Sequence, residues 1–379
     1  MATKRLGLAL PGLGHILNRD LANGIGLLAY VLVLIWAAVA GFPRAGDLLF
    51  PEAIDGGTRI HPWVAAISWV GAVALTWHTA YRYAFPKALS DHDASSRWRD
   101  FKKQFAKNRV GVGGMHLVYV LILFAVLTPF IAPFDPNAID VGDHRLAPQW
   151  GYLMGTDEFG RDLFSRVLYG ARISLSIGFI AVSLSVTIGT LVGAVAGYFG
   201  GAADKALMWF VDLLLSLPRL VLLLAIVGFF RASGAQSIFL IVVILGLTGW
   251  MGVSRIVRSQ VLSIREQDYI QAARALGVPT WRLIVRHIVP NAMAPVIVNA
   301  SLAIGSTILV EAGLSFLGLG VPPPTATWGA IVNDGREYMR SAPWITIFPG
   351  LMIVAAVLGF NLFGDGLRDA MDPKLRGRS

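Results

Sequence analysis

Long apolar runs separated by short polar stretches fill most of the chain. A helix needs about 20 mostly apolar residues to cross a bilayer, and suitable runs lie near 24–41, 62–84, 113–133, 173–199, 207–230, 236–253, 292–319 and 344–364. The alternating apolar and polar segments that build a membrane β-barrel are not found in the sequence. The pattern predicts an all-α polytopic membrane protein with eight transmembrane helices.

A strongly charged stretch at 85–110 separates the first two predicted helices from the other six. We therefore divide the chain into an N-terminal extension, 1–100, with a basic linker at its end, and a core, 101–379. A signal peptide is an alternative for the N-terminus, because residues 38–40 read Ala-Val-Ala and resemble a cleavage site. The polar lead before the first apolar run is too long for a signal peptide, so an uncleaved helix is predicted.

Basic residues concentrate in particular loops. The stretches 85–110 and 254–290 are rich in Lys and Arg, whereas 135–170 carries mostly acidic charges. Loops rich in Lys and Arg stay on the cytoplasmic side of a membrane. Alternation of the helices then predicts that both termini and 254–290 are inside, and that 135–170 and 320–343 are outside.

Composition excludes several classes of protein. Charged residues make up 15% of the chain and apolar residues 55%, whereas soluble domains carry about 25% charged residues. The chain has no cysteine, which excludes disulfides, thiolate metal sites and cysteine nucleophiles. The formal net charge of +9 comes from loops between apolar runs, where positive charge marks the cytoplasmic side, so no nucleic-acid partner is predicted.

No motif for bond-making chemistry occurs in the sequence. It contains neither a G-x-x-x-x-G-K-[ST] phosphate loop nor an H-E-x-x-H metal motif. The seven histidines are dispersed, and none forms a close pair at metal-ligand spacing. We therefore predict no catalytic, cofactor or metal site in this chain and expect that it is not an enzyme.

The stretch 255–290 is the most distinctive polar segment, because it is basic, amphipathic and helix-forming. Leu262, Tyr269 and Ala273 recur at a spacing that places them on one helical face. The segment predicts a helix that lies across the cytoplasmic mouth of the bundle.

A turn is predicted to divide this stretch. Gly277 supplies the positive φ that ends many helices, and Pro279 opens a second helix, which Pro290 is predicted to stop. Two interpretations remain open. The two helices form either an elbow that sits in a groove of a partner and transmits a rigid-body push, or a solvated amphipathic connector.

Part of this stretch resembles the cytoplasmic coupling loop of ABC importer permeases. Residues 271–273 read Gln-Ala-Ala and stand with Gly277 and Pro290 at the offsets of that family's E-A-A-x-x-x-G-(x9)-I-x-L-P pattern. The chain has Gln where the pattern begins with Glu, and His287 and Val289 where it has Ile and Leu. The resemblance implies an ATPase-coupling loop made by Asp268, Tyr269, Gln271, Ala272, Ala273, Gly277, Pro279, Arg282, Pro290 and Asn291.

Three further segments, at 155–172, 311–329 and 360–373, resemble one branch of that family, the permeases of dipeptide, oligopeptide and nickel importers. All four segments occur in the family's order, cover about 110–379 and are most similar to the second, C-type permease subunit. The resemblance implies a six-helix type I ABC importer permease core, to which the two N-terminal helices are an addition.

That resemblance also implies a function and partners. The chain is expected to be a transmembrane subunit of an ATP-driven importer in the cytoplasmic (inner) membrane. It would form a heterodimer with a second permease, beside two ATP-binding subunits that hold ATP and Mg, and would receive solute from an extracytoplasmic solute-binding protein. Dipeptides, longer peptides, nickel chelates and other small solutes all remain open as substrates.

Charged and aromatic residues near the predicted helix ends have two possible roles each. Ionisable groups in membranes face protein or water, so Asp212 and Glu311 either line a path for the solute or make packing hydrogen bonds. Arg172, at the predicted start of the fourth helix, is a third such charge. Four aromatic residues either dock the solute-binding protein or anchor the chain at the membrane interface: Trp150, Tyr152, Trp328 and Tyr338.

Two other classes of protein compete with this prediction. A secondary transporter is expected to show inverted repeats or paired broken helices near the midplane, and the sequence has no convincing internal repeat. An intramembrane enzyme needs a nucleophile and a base inside its helices, and the dispersed serines and histidines provide no such pair. The importer subunit is therefore preferred.

Overall fold

The computed structural model describes residues 96–229 and 235–371, and within them the chain is helical with no strand. The helices are α1 (Ser96–Lys107), α2 (Arg109–Ile131), α3 (Leu163–Phe199), α4 (Gly201–Leu215), α5 (Arg219–Phe229), α6 (Ala235–Arg265), α7 (Asp268–Ala275), α8 (Thr280–Leu283), α9 (Val289–Phe316), α10 (Trp328–Asp334) and α11 (Trp344–Met371). A π turn at Ile284–Ile288 joins α8 to α9, and a 3₁₀ turn at Gly335–Tyr338 follows α10. The helices predicted near 24–41 and 62–84 lie outside the described residues.

The six-helix core predicted from the apolar runs is confirmed. In the described part of the chain, five helical segments are long and apolar enough to cross a membrane. They are Arg109–Ile131, Leu163–Phe199, Ser237–Arg265, Thr280–Phe316 and Trp344–Met371. The pair α4 and α5 makes a sixth when the two helices are taken as one span, with a bend of 81° at the break between them.

The contact between α3 and α6 is the most extensive in the bundle. Gly189, Gly193 and Gly197 recur every four residues on α3, and a methyl group on any of them would lie less than 3 Å from atoms of α6. Small residues at this spacing let two helix backbones approach closely inside a membrane. The pair α3 and α6 therefore forms a tightly packed centre, against which α9 also lies.

The two ends of the bundle carry different polar segments. We call the end with residues 266–290 the elbow end, and the end with 132–162 and 317–343 the loop end. α3 starts at the loop end and finishes at the elbow end, where the Arg265 side chain reaches the carbonyl of Gly197. The long helices therefore connect the two ends directly.

The predicted start of the fourth helix is wrong. α3 begins at Leu163, well before 173. The carboxylate of Asp162 accepts the amide N–H of Ser165 at 2.8 Å, and such a cap starts a helix by satisfying one of its free amides. Arg172 therefore lies inside α3 and does not open it.

The prediction that Pro290 stops the second helix of the elbow is wrong. The helical segment runs through it from Thr280 to Phe316. A proline removes one backbone donor from a helix, but the π turn before it shifts the hydrogen-bond register, since the amide of Val289 donates to Ile284. The elbow and the following transmembrane helix are therefore one continuous body.

The continuous helix predicted at 207–230 is broken. α4 ends at Leu215 and α5 begins at Arg219, because Pro218 has no N–H to continue the ladder and disfavours a helical conformation in the residue before it. Asp212, predicted near the start of its helix, lies instead in the last turn of α4.

Candidate functional site

α7 ends in a left-handed turn that fixes the angle of the elbow. The amide of Val278 donates to the carbonyl of Ala273 at 3.1 Å, and the amide of Gly277 donates to Arg274 at 3.0 Å, which is the Schellman pattern of helix ends. Gly277 has a φ of +79°, a conformation that is unfavourable for other L-residues by about 1–2 kcal/mol. Pro279 then caps α8. The predicted helix end at Gly277 and helix start at Pro279 are confirmed.

The helical face predicted for Leu262, Tyr269 and Ala273 is not continuous. α6 ends at Arg265 and α7 begins at Asp268. Leu262 therefore lies on a different helix from the other two residues. Helical spacing does not apply across this stretch, because a turn at Glu266 and Gln267 interrupts the helix. Neither residue is a glycine or proline that would have indicated the turn.

Gln271 ties α7 to the end of α6. Its Nε2 donates a hydrogen bond of 2.9 Å to the carbonyl oxygen of Arg265, one of the carbonyls that no amide of α6 can satisfy. A Glu carboxylate, which the family pattern has at this position, cannot donate such a bond when ionised. The departure from the pattern therefore gives this chain an additional contact at the elbow.

Apolar and polar contacts hold the elbow against the bundle. Ile270, Leu283 and Ile288 are buried, and Ile270 and Ile288 belong to one cluster with apolar side chains of α3, α6 and α9. Arg265 Nη1 donates to the carbonyl of Gly197 at 2.8 Å. The elbow is therefore packed against α3, α6 and α9, and through Gln271 it is joined to the end of α6 that Arg265 ties to α3.

Large apolar side chains project from the elbow into solvent. Leu276 is 85% exposed, Trp281 63% and Val285 62%, and the Arg282 guanidinium lies 5.5 Å from the centre of the Trp281 ring. We call Leu276, Trp281 and Val285 the elbow surface. Exposed apolar groups beside charges mark sites of protein contact, so the elbow surface favours partner docking over a solvated connector.

Two of the other predicted coupling residues, Tyr269 and Asn291, line a polar groove together with residues of α6. Asn291 Nδ2 donates to the carbonyl of His287 at 2.6 Å and to Tyr269 Oη at 3.3 Å. This pair joins α7 to the start of α9. Ala273 is partly buried, whereas the following predicted coupling residues are exposed: Asp268, Tyr269, Gln271, Ala272, Gly277, Pro279, Arg282, Pro290 and Asn291.

The loop end contains a buried cluster of charges that the sequence motifs did not predict. Asp157 Oδ2 lies 2.6 Å from Arg161 Nε and 3.3 Å from Arg166 Nε, and Arg166 Nη2 lies 3.4 Å from Asp334 Oδ2. The side chains of Asp157 and Arg166 are each 2% exposed. The sequence feature that could have indicated this cluster is the high density of acidic and basic residues between 157 and 166.

Burial raises the pKa values of three acidic residues at the loop end. Desolvation raises the pKa of Asp162 to about 6, although hydrogen bonds from Ser165 lower it. Desolvation also raises the pKa of Glu158 and of Asp334, against the attraction of nearby arginines. Within the described residues no group of acids or histidines is placed to hold a metal ion. The raised pKa values make the charges of Glu158, Asp162 and Asp334 sensitive to pH.

Trp328 is wrong as a candidate for docking or for anchoring in the interface. Its side chain is completely buried, and its Nε1 donates to the carbonyl of Val167 at 3.0 Å. The backbone amide of Trp328 also donates to Ser174 Oγ at 3.2 Å. Trp328 therefore fixes α10 to α3, which its position in a polar loop did not reveal.

The other three aromatic candidates differ in exposure. Trp150 is 80% exposed. Tyr152 is partly buried, and its hydroxyl donates to the carbonyl of Val141. Tyr338 is partly buried too, with the Arg145 guanidinium 5.2 Å from its ring centre. Of the four, Trp150 is the candidate with a free face.

The two acidic candidates have different surroundings. Glu311 is completely buried, and its carboxylate accepts hydrogen bonds from Ser315 Oγ at 2.9 Å and Ser174 Oγ at 3.5 Å. It therefore makes a packing contact between α9 and α3. Asp212 is exposed and forms an ion pair with Arg255 of α6, so it stays a candidate for the solute path.

Comparison with known proteins places these features in a family. Residues 189–377 match the binding-protein-dependent transport system inner membrane component, and 96–148 match the N-terminal transmembrane domain of oligopeptide transport permease C. The chain is 39% identical over 292 residues to the dipeptide transport system permease protein DppC of Alkalihalophilus pseudofirmus, covering 77% of this chain and 94% of that protein. It is 41% identical over 286 residues to the oligopeptide transport system permease protein OppC of Haemophilus influenzae, covering 75% and 91%.

Among solved structures, the chain is similar to a chain of the MetNI methionine ABC transporter in an inward-facing conformation, with 18% identity and a TM-score of 0.46. That similarity covers 55% of this chain and 97% of the other. The resemblance to C-type permeases that the sequence motifs predicted is confirmed by the family matches and the relatives. The chain belongs to the inner membrane components of binding-protein-dependent transport systems and is a multi-pass permease subunit of an ABC importer.

Proposed function

We propose that this chain is the C-type transmembrane subunit of an ATP-driven importer of peptides. The elbow carries the proposal, because Gly277 fixes its angle, Ile270 and Ile288 hold it to the bundle, and the elbow surface is left uncovered. A rigid apolar projection of this kind fits a groove in a soluble partner. The relatives named as dipeptide and oligopeptide permeases support peptides as the substrate class.

The proposed assembly has four kinds of partner. A second permease forms a heterodimer with this chain. Two ATP-binding subunits hold ATP and Mg, and one of them contacts the elbow surface. A solute-binding protein docks at the loop end, with Trp150 as one contact. The elbow end and both termini then lie in the cytoplasm, an orientation that the basic residues of 254–290 support.

The proposed mechanism is a rigid-body movement. When ATP closes the ATP-binding subunits on each other, the elbow moves with them. The bond from Arg265 to Gly197 and the apolar cluster around Ile270 pass this movement to α3 and α6. The solute path between the two permeases then closes at one end of the bundle and opens at the other.

The proposed boundary at residue 100 separates the importer core from an added unit. The match to the N-terminal domain of permease C begins at 96, which supports this boundary. Residues 1–100 are therefore proposed to be an extension that the transport cycle does not need. Deletion of 1–95 is expected to leave peptide uptake intact.

Uptake of radiolabelled peptides in cells that lack this chain tests the proposed function. Uptake is expected to fall to background and to return when the chain is supplied again. It should continue when an ionophore collapses the proton gradient and stop when ATP is depleted. The reverse pattern would favour a secondary transporter, and unchanged peptide uptake would exclude peptides as the main substrate.

A further inference from the structure

One arginine in a membrane-crossing segment lacks an acidic partner. Arg219 opens α5, directly after the break in the bent pair α4 and α5. Within the part of the chain that the structure describes, its guanidinium makes neither an ion pair nor a hydrogen bond. An arginine stays charged in proteins, so this position holds an uncompensated positive charge.

Arg219 lies beside the transmembrane part of α6. Its Nη2 is 3.9 Å from the position that a methyl group on Gly249 of α6 would occupy. At 1.5 Å per residue, Gly249 is about 18 Å from Ser237 and about 24 Å from Arg265, which are the two ends of that transmembrane segment. Ionised groups at this depth are rare, and they face protein or a water-filled cavity.

The broken backbone leads to the same conclusion. Residues 215–221 are all exposed in the isolated chain. Lipid tails cannot hydrogen-bond with the backbone groups that a helix break frees, so non-helical backbone at this depth is covered by protein or lines a water-filled cavity. Arg219 therefore faces a neighbouring subunit or the solute path, and not lipid.

Further charged side chains lie on the elbow-end side of Arg219, which favours the solute path. Among the described residues between 206 and 254, only Asp212 and Arg219 are charged, and Asp212 is paired with Arg255. Asp212, Arg255 and Arg258 line one concave surface. Subunit contacts inside membranes are usually made by small residues, whereas a concave surface lined by charged side chains suits a wet path. Of the two charged residues described between 206 and 254, Arg219 is the one without an ion-pair partner among the described residues, and its charge is positive.

We propose that Arg219 binds a carboxylate of the solute as it passes through the membrane. A guanidinium holds a carboxylate through two parallel N–H donors. The inference rests on the proposed function, because for a peptide this group is the C-terminal carboxylate. An acidic residue of the second permease is the competing partner, and it would hold Arg219 whether or not solute is present.

Uptake by the full system of a peptide and of its C-terminal amide tests the proposal. Peptide pairs are first selected for which the wild type takes up both forms. Arg219→Gln is expected to lower uptake of the free acid by about tenfold or more, since a hydrogen bond to a charged group is lost. Uptake of the amide should change by less than about twofold by the same reasoning.

Two further variants serve as controls. Arg219→Lys keeps the charge and is expected to retain most of the free-acid uptake. Arg172→Gln removes an exposed arginine of α3 from outside this concave surface and should affect both peptide forms equally little. Immunoblots of the membrane fraction verify that each variant is inserted.

Three outcomes would contradict the proposal. Equal loss of uptake for the acid and the amide would assign Arg219 to a pair with a neighbouring subunit. Unchanged uptake of both forms would remove it from the path, and loss with Arg219→Lys equal to that with Arg219→Gln would rule out a role for its charge. Failure of the proposed function is distinct, because the wild type itself would then take up no peptide.

Discussion

The two ends of the bundle differ in whether their charged and large apolar side chains are buried within the chain or exposed. At the loop end, Arg166 pairs with Asp157 and Asp334, and Trp328 is buried against α3. At the elbow end, the elbow surface projects into solvent from two short helices. The loop end buries charged groups and Trp328 within the chain, whereas the elbow end exposes large apolar side chains. Changes at the loop end should therefore act on folding, and changes at the elbow end on coupling.

The largest effect on stability is expected from Arg166→Met. The substitution removes one of the two buried arginines that pair with Asp157 and Asp334 and leaves only Arg161, and breaking a buried ion pair destabilises a protein by about 3–5 kcal/mol. Thermal unfolding of the purified protein in detergent measures this effect. Arg172→Met, at an exposed position of the same helix, is the matched control. Equal melting temperatures for the two variants would contradict a structural role for the cluster.

The next largest effect is a pH dependence at the loop end. Asp162 has its pKa raised to about 6 by burial, against about 3.9 in an unfolded chain. The folded state therefore binds this proton more tightly, so its contribution to stability is complete below about pH 4 and is lost as pH rises through about 6. The shift corresponds to about 3 kcal/mol.

Asp162→Asn separates this titration from helix capping. Asn is as good an N-cap as Asp, so the variant keeps the start of α3 but has no proton to release. Its melting temperature is expected to vary less between pH 4.5 and pH 7 than that of the wild type, and to be higher at pH 7. Parallel pH profiles for the two proteins would show that Asp162 does not titrate in this range.

A smaller effect on stability, with a large effect on transport, is expected at Gly277. Its φ of +79° disfavours other residues by about 1–2 kcal/mol, while an added methyl group would meet no atom within 4 Å. Gly277→Val should leave membrane insertion intact and let ATP hydrolysis continue without peptide uptake. Assays of uptake and of ATPase activity in the same vesicles measure the two separately.

Two further variants test whether the backbone conformation of Gly277 causes the loss of uptake. Asn tolerates a left-handed φ better than Val, so Gly277→Asn should retain more uptake. Gly313→Ala also adds a methyl group in open space, at a helical position without a positive φ, and should be neutral. Equal loss for all three variants would indicate general damage to the elbow.

The smallest effect on stability is expected for the elbow surface. Trp281→Ser and Leu276→Ser replace exposed side chains, and such substitutions change the free energy of unfolding by about 0.5 kcal/mol or less. Thermal unfolding of the isolated chain should therefore be unchanged. A clear loss of stability would mean that these side chains pack within the chain, and the contrast between the two ends would fail.

Local rules predicted some features of the molecule well. Apolar runs set the six-helix core, because a bilayer demands about 20 apolar residues per helix. The turn at Gly277 and Pro279 was predictable because positive φ and a missing N–H act on the residue itself. The coupling-loop pattern, which includes Gly277, also indicated that this turn lies in the elbow.

Contacts between distant segments were not predictable in this way. The pairing of Arg166 with Asp334 joins residues far apart in sequence, and Trp328 is buried only because α10 folds onto α3. Pro290 continues a helix because a π turn precedes it, which no spacing rule reveals. Sequence patterns therefore predicted the elements and the elbow, but missed the network that stabilises the loop end.

Affinity purification of the tagged chain in mild detergent tests the central claim that the elbow surface binds ATP-binding subunits. The wild type and Trp150→Ser, which alters an exposed tryptophan at the loop end, should each bring down two P-loop ATPase subunits and a second permease. Leu276→Ser combined with Trp281→Ser should retain the permease and bring down less of the ATPases, which the second permease still helps to hold. Recovery of the wild type without ATPases after gentle cross-linking, or equal ATPase recovery with the double variant, would contradict the account.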